Sequence, residues 1–274
     1  MKNVAGSGGK WLDVSAERFP GWIASFSVRH GFSGADGVAR ERGASSGAAS
    51  GADWPERVPT GPGTTIMVTL GDDHASFTAQ DGSVADCYPP FPPAGGLAVF
   101  ANPVLANPVL AEPLAEAFAA HARRPRAVGV LLVRLGGYAA GVFTGYPPVL
   151  QDAKVGSRLV HGRSAAGGWS QHRFARRREK QANEALDAAA AAAVMIFGKV
   201  MTFGKGATTA RSGLDAVVLG GDRRAVAELR DDPRLAPYFK LAAERFLTVP
   251  DPKRAVLVET PRLFTSVRIR LTET

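Results

Sequence analysis

AVGVLLVRLGGYAAGVFTG, residues 127 to 145, decides the architecture of this chain. Ala127 to Val133 form a compact apolar run without proline. Gly136 and Gly137 interrupt it, and a second apolar run follows from Tyr138 to Phe143. Runs of this length, bounded by turn residues and rich in Val and Leu, read as a buried strand, a Gly-Gly turn and a second strand.

Downstream, PVLQDAKVGSRLV (residues 148 to 160) supplies a third strand and brings the chain to a glycine-rich stretch at Gly162. A long helix is expected from Gln171 to about Phe197. Phe174, Ala182, Ala185, Ala189, Ala193 and Ile196 recur on it at helical spacing, giving one small-residue face suited to burial. LDAVVLGGD, residues 214 to 222, reads as a buried strand closed by Gly-Gly, and Asp222 is placed to N-cap a helix over Arg223 to Arg230. Strands at 244 to 249 and 263 to 271 complete an alternation of strand and helix. The fold class is therefore α/β, a layered mixed sheet with helices.

Upstream, a helix around Phe19, Trp22, Ile23 and Phe26 is expected within residues 1 to 31. Residues 32 to 63 are rich in Gly, Ala and Ser and read as a flexible insert. Residues 64 to 100 hold a small antiparallel meander, its strands separated by GDD and DG. The tandem ANPVLANPVL, residues 101 to 110, cannot be a continuous helix because of its prolines. The expected organisation is a small N-terminal α+β part and a main domain over 110 to 272, with a functional loop at 162 to 171.

The chain has 274 residues and a formal net charge of +8. That excess favours a polyanionic partner, nucleic acid before membrane. The single cysteine, Cys87, excludes an internal disulfide and a cysteine-built zinc site, and its expected role is that of a small buried hydrophobe. MKNVAGSGGKW has no secretory apolar core, and the longest apolar run, Ala188 to Phe197, is too short for a bilayer. The expectation is a cytoplasmic protein with no membrane partner.

The charge is concentrated. Between Gly156 and Lys180 stand seven cations, Arg158, Arg163, Arg173, Arg176, Arg177, Arg178 and Lys180, against one anion, Glu179. Arg173, Arg176, Arg177 and Lys180 are spaced to share a helix face. Cations at a helix start oppose the macrodipole, at roughly 0.3–1 kcal/mol each. A phosphate backbone across that start reverses the cost. Gly167 and Gly168 let a backbone approach a crowded ligand, and Gln171 follows closely. An amide does not titrate, so Gln171 is no ordinary general base; it can hold a water or stabilise developing oxyanion charge. A glutamine on a glycine loop among phosphate-binding arginines suits hydrolysis at an RNA end.

GGWSQ, with Gly167, Gly168, Ser170 and Gln171, resembles the active loop of the Vms-like release factors, relatives of the middle domain of eukaryotic and archaeal peptide-chain release factors. RFARRREKQA (Arg173 to Ala182) and LGGDRRAV (Leu219 to Val226) are similar to the actinobacterial members. The resemblance covers roughly residues 10 to 32 and 64 to 272. It implies a release-factor middle-domain-like fold and a peptidyl-tRNA hydrolase that frees nascent chains in translation quality control. Gln171 would act at the peptidyl transferase centre of the large ribosomal subunit, with peptidyl-tRNA as substrate. Gly167, Gly168 and Ser170 would form the loop, and Arg163, Arg173, Arg176, Arg177, Arg178 and Lys180 would bind RNA. No cofactor or metal is implied.

Three rival readings stay open at this level. Asp215 and Asp222 near one strand could serve a metal-dependent nuclease, although turn-forming and helix-capping roles suffice for them. A relative's activity, cutting tRNA near its 3′ end, would leave a shortened tRNA where ester hydrolysis leaves a full-length one. A non-catalytic ribosome- or RNA-binding protein would need the arginines but not Gln171. GKVMTFGKG, residues 198 to 206, resembles a phosphate-binding loop but has the wrong spacing and Gly206 where Ser or Thr is needed. His161 and His172 flank the loop without a third metal ligand nearby.

Overall fold

The computed structural model describes residues 9–30, 66–93, 95–100, 111–134, 137–157, 170–203 and 213–274; within the helix 170–203 its side-chain description covers 180–200. The insert at 32 to 63 and the ANPVL duplication lie outside the described residues. The chain divides into two compact units, Met1–Ala122 with Ser266–Thr274, and Arg123–Thr265.

The first unit is a five-stranded antiparallel sheet with two helices. Its elements are β1 (Lys10–Val14), α1 (Phe19–His30), β2 (Met67–Leu70), β3 (Ala75–Thr78), β4 (Val84–Tyr88), a short 3₁₀ turn (Leu97–Phe100), α2 (Ala111–Ala122) and, from the far end of the chain, β10 (Val267–Thr272). The strand order is β1-β10-β4-β3-β2. Alternation in β10 is strict: Val267, Ile269 and Leu271 are buried, Arg268 and Arg270 exposed. Ala75, Phe77, Ala85 and Cys87 continue the apolar face, which packs on Phe19, Ile23 and Phe26 of α1 and Leu114 and Phe118 of α2. Cys87 is fully buried and burial pushes its thiol well up, so it is an inert core residue.

This unit corrects three expectations. The chain opens with a strand, β1, before α1, because Leu12 and Val14 pair with β10 and pack against the core. The meander is not a separate module; β10 zips onto β4 and β1 onto β10. The last strand starts at Val267, residues 263 and 264 closing the preceding helix, and it belongs to the N-terminal unit. A main domain running unbroken from 110 to 272 is thereby divided, α2 falling on the N-terminal side as well.

The second unit holds β5 (Arg126–Arg134), β6 (Gly137–Gly145), β7 (Val149–Ser157), α3 (Ser170–Phe203), β8 (Ala216–Gly221), α4 (Arg223–Leu229), α5 (Ala236–Phe239), β9 (Ala242–Leu247) and α6 (Arg254–Phe264). The order is β7-β6-β5-β8-β9. β5, β6 and β7 are antiparallel neighbours, whereas β8 is parallel to β5 and β9 to β8. The mixed α/β layering expected from the sequence is thus present. One sheet face, with Leu131, Val133, Tyr138, Ala140, Val142, Val217 and Leu219, packs under α3 and α4. The other receives α6: Phe264 meets Phe143 edge-on at 5.7 Å, and Leu257 lies over Gly141. Cover on both faces explains why β5 is one continuous buried run.

Candidate functional site

The candidate site is built on α3. Its buried face is made of small residues: Ala185, Ala189, Ala192, Ala193 and Ile196 are nearly or fully enclosed, and Ala182 is half-buried. Small side chains let the helix lie close on the sheet. At Gly129 the fit is tight enough that a Cβ there would stand 3.0 Å from the Phe197 ring. Two ion pairs flank this face. Lys199 Nζ donates to Asp152 Oδ2 of β7 at 2.7 Å and holds that carboxyl below its usual range. Arg234 donates to Asp187 of α3 at 2.6 Å and to Asp232 at 2.7 Å, which lowers the Asp232 carboxyl and raises the guanidinium further.

The strand register fixes which way the site points. Arg134 pairs with Gly137 and Gly137 with Ser157, so the β5–β6 hairpin and the exit of β7 share one end of the sheet. The parallel pairings put the ends of β8 and β9 there too. Phe197 sits level with Gly129, low on β5. From Phe197 back to Ser170 is about 40 Å of helix, while Gly129 to Arg134 is only about 17 Å of strand. By length the first turns of α3 therefore extend beyond the strand ends; Lys180, Asn183 and Glu184 are exposed, Gln181 and Ala182 are half-buried, and full enclosure starts at Ala185.

Ser170 and Gln171 are the first two residues of α3. Their backbone N–H groups are among those a helix leaves without internal acceptors. Positions 173, 176, 177 and 180 fall about half a turn away from the line through Ala185, Ala189 and Ala193. By helix periodicity these four positions thus fall on the side opposite the line of buried alanines. Position 178 differs: it falls in line with Ala182, Ala185 and Ala189. Gly167, Gly168 and Arg163 lie outside the described residues, as does His161.

Asp215 and Asp222 bracket β8, one before its first residue and one after its last, about 23 Å apart along the strand. They cannot share a metal. Asp215 accepts from the Ala127 N–H at 2.8 Å, and Asp222 caps α4 by accepting from the Arg224 N–H at 2.8 Å. Residues 198 to 203 of the phosphate-loop look-alike are the last turns of α3. Sequence reading passed over Arg134, the cation that ends a buried strand, and Lys253, a cation directly before a helix.

A family model described as Actinobacteria/chloroflexi VLRF1 release factor matches residues 126–270. The chain belongs to this VLRF1 release-factor family. The match opens on the first residue of β5 and closes inside β10, so it takes in the whole of α3 and both sheet faces around it. No curated protein matches the chain. VLRF1 membership makes this a release-factor-like protein of translation, with the ribosome as its partner. Among the described residues no helix is long and apolar enough to cross a membrane.

Proposed function

We propose that this VLRF1 protein hydrolyses the ester bond of peptidyl-tRNA at the peptidyl transferase centre and so frees nascent chains in translation quality control. The observation that carries the reading is the place of Gln171, in the first turn of a 34-residue helix whose length carries its start beyond the strand ends. A helix start carried beyond the strand ends suits entry into a confined, RNA-walled site. A tip on the body of the sheet would be blocked by its own domain.

In this reading a water attacks the ester carbonyl beside the terminal ribose. The Gln171 amide orients the water and donates to the developing oxyanion. The ribose oxygen leaves with a proton, giving a peptide acid and a tRNA of full length. Gly167 and Gly168 let the loop backbone close on the RNA end, and Ser170 sits beside Gln171 at the helix start. The arginine side of α3 binds phosphates and brings no anion near the reaction.

The test is incubation with peptidyl-tRNA, free and on large subunits, with both products analysed. Release with an intact tRNA 3′ end is expected. Gln171→Ala should lose about 10²–10³ in rate and keep ribosome binding. Release at the wild-type rate by Gln171→Ala, or a shortened tRNA, would overturn ester hydrolysis by this loop.

A further inference from the structure

A second group of cations gathers at the same sheet end, on elements other than α3. β8 ends in Gly220 and Gly221, and α4 starts at once with Arg223 and Arg224. β9 ends at Leu247, and the segment after it crosses the strand ends to α6. Arg134 Nη1 donates to Val249 O at 3.0 Å, and Pro252 packs at the position of Gly137. That segment sets down Lys253 and Arg254, both exposed. Gly137 is paired with Ser157, the last residue of β7 before the glycine loop. Lys253 therefore stands beside the root of that loop.

These groups stay largely open to solvent. The Arg224 side chain is 90% exposed and makes a long ion pair with Glu228 at 3.9 Å on the surface of α4, a contact that is worth little in water. The Arg223 guanidinium lies over the Phe246 ring at 4.4 Å, which fixes its plane and leaves its N–H groups open to an acceptor. Asp222 is occupied with its helix cap and Asp251 with Arg134. Lys199 chiefly, with a smaller contribution from the charge of Arg254, holds the Asp152 carboxyl low. Arg223 and Arg224 follow the end of β8, and Lys253 follows Pro252 over the start of β6, two strands away. The strands are about 10 Å apart within the sheet; Arg223 and Arg224 start the helix on the α3 face and Lys253 the helix on the opposite face, so the three cations bracket the end of the sheet.

We propose that Arg223, Arg224 and Lys253 form a collar at this end of the sheet that grips the phosphate backbone of structured RNA behind the reaction site. This rests on the reading of α3 as the inserted element. The collar sets affinity and reach; Gln171 sets the rate. Guanidinium forks and an ammonium at the rim of a tight turn fit phosphate oxygens and ignore base identity. The RNA can be ribosomal or the acceptor stem of the tRNA.

The experiment uses the full chain with Arg223→Gln, Arg224→Gln and Lys253→Gln combined, and Arg224→Gln with Lys253→Gln as a milder variant that leaves the Phe246 stack alone. Binding to large subunits, to deacylated tRNA and to anionic phospholipid vesicles is measured across a salt series, in wild-type and in Gln171→Ala backgrounds. The collar predicts a log–log salt slope flatter by roughly 0.7–0.9 per removed cation, in both backgrounds, on subunits or tRNA. Release should show a raised half-saturating concentration with an unchanged maximal rate. The substrate that loses the slope names the source of the phosphate. A wild-type slope on both RNAs overturns the collar, as does a loss seen on vesicles alone. If no variant releases peptide and the slope still flattens, hydrolysis fails while the collar stands.

Discussion

Single positions at the sheet end carry more constraint than their exposure suggests. Gly221 has φ +99, and an added Cβ would collide with the Val133 carbonyl oxygen. Gly221→Ala should therefore cost at least the strain of a forced left-handed residue, about 1–3 kcal/mol, and lower the urea midpoint without changing the slope. A midpoint equal to wild type would mean that the turn is not built as described. Asp222→Ala, one residue on, removes only a cap and should cost about 0.5–2 kcal/mol. Asp152 and Asp232 give a pH signature. Lys199 and Arg234 hold their folded-state values below the usual 3.8. A lowered carboxyl contributes stability above the unfolded-state value and loses it as pH falls through the folded one. Stability should thus decline below about pH 4. Asp152→Asn should be less stable at neutral pH and show a shallower acid decline. Denaturation at pH 7 and pH 3 checks this, and parallel curves for variant and wild type would refute it.

At the scale of one element, α3 serves two demands on opposite sides. Its sheet side is alanine because a larger side chain would lift the helix from β5 and β6. Ala193→Leu should overpack and destabilise by about 1–3 kcal/mol, read as a lower thermal midpoint. The other side carries Arg173, Arg176, Arg177 and Lys180, and the first two of these oppose the helix dipole. Changing all four to alanine should leave thermal stability unchanged or slightly raised. It should also flatten the salt dependence of ribosome or tRNA binding by roughly 0.7–0.9 per cation. A folded quadruple variant with the wild-type slope would remove phosphate binding from this face. The two demands explain a pattern that looks contradictory in the sequence, an arginine block running straight into an alanine block.

The whole molecule is held by a strand that returns. β10 lies between β1 and β4, so the first unit's sheet is joined through residues 267–272. Ending the chain at Thr265 should leave β1 without a partner and expose Ile269's neighbours Phe19, Phe77 and Phe118. Rapid proteolysis of the first unit is expected, with α3 and its sheet protected longer; equal protection of both units in the truncated and full chains would argue against this. Much was legible beforehand for a local reason. The apolar runs at 127–145 and 214–221, the Asp222 cap and the alanine face of α3 all depend on neighbours within a turn or a hairpin. Gln171 and the arginine block could be singled out as candidates because their chemistry lies in one stretch. The partner of β10 was not, since alternation reports which face is buried and says nothing about which strand lies alongside. β1 was hidden for the same reason, its five residues KWLDV being a strand only because β10 is there to pair with them. Only the tertiary structure separated Asp215 from Asp222 and brought Arg223, Arg224 and Lys253 to one end of the sheet. Distance along a chain does not fix distance in space until the parallel register of β5, β8 and β9 decides which ends meet.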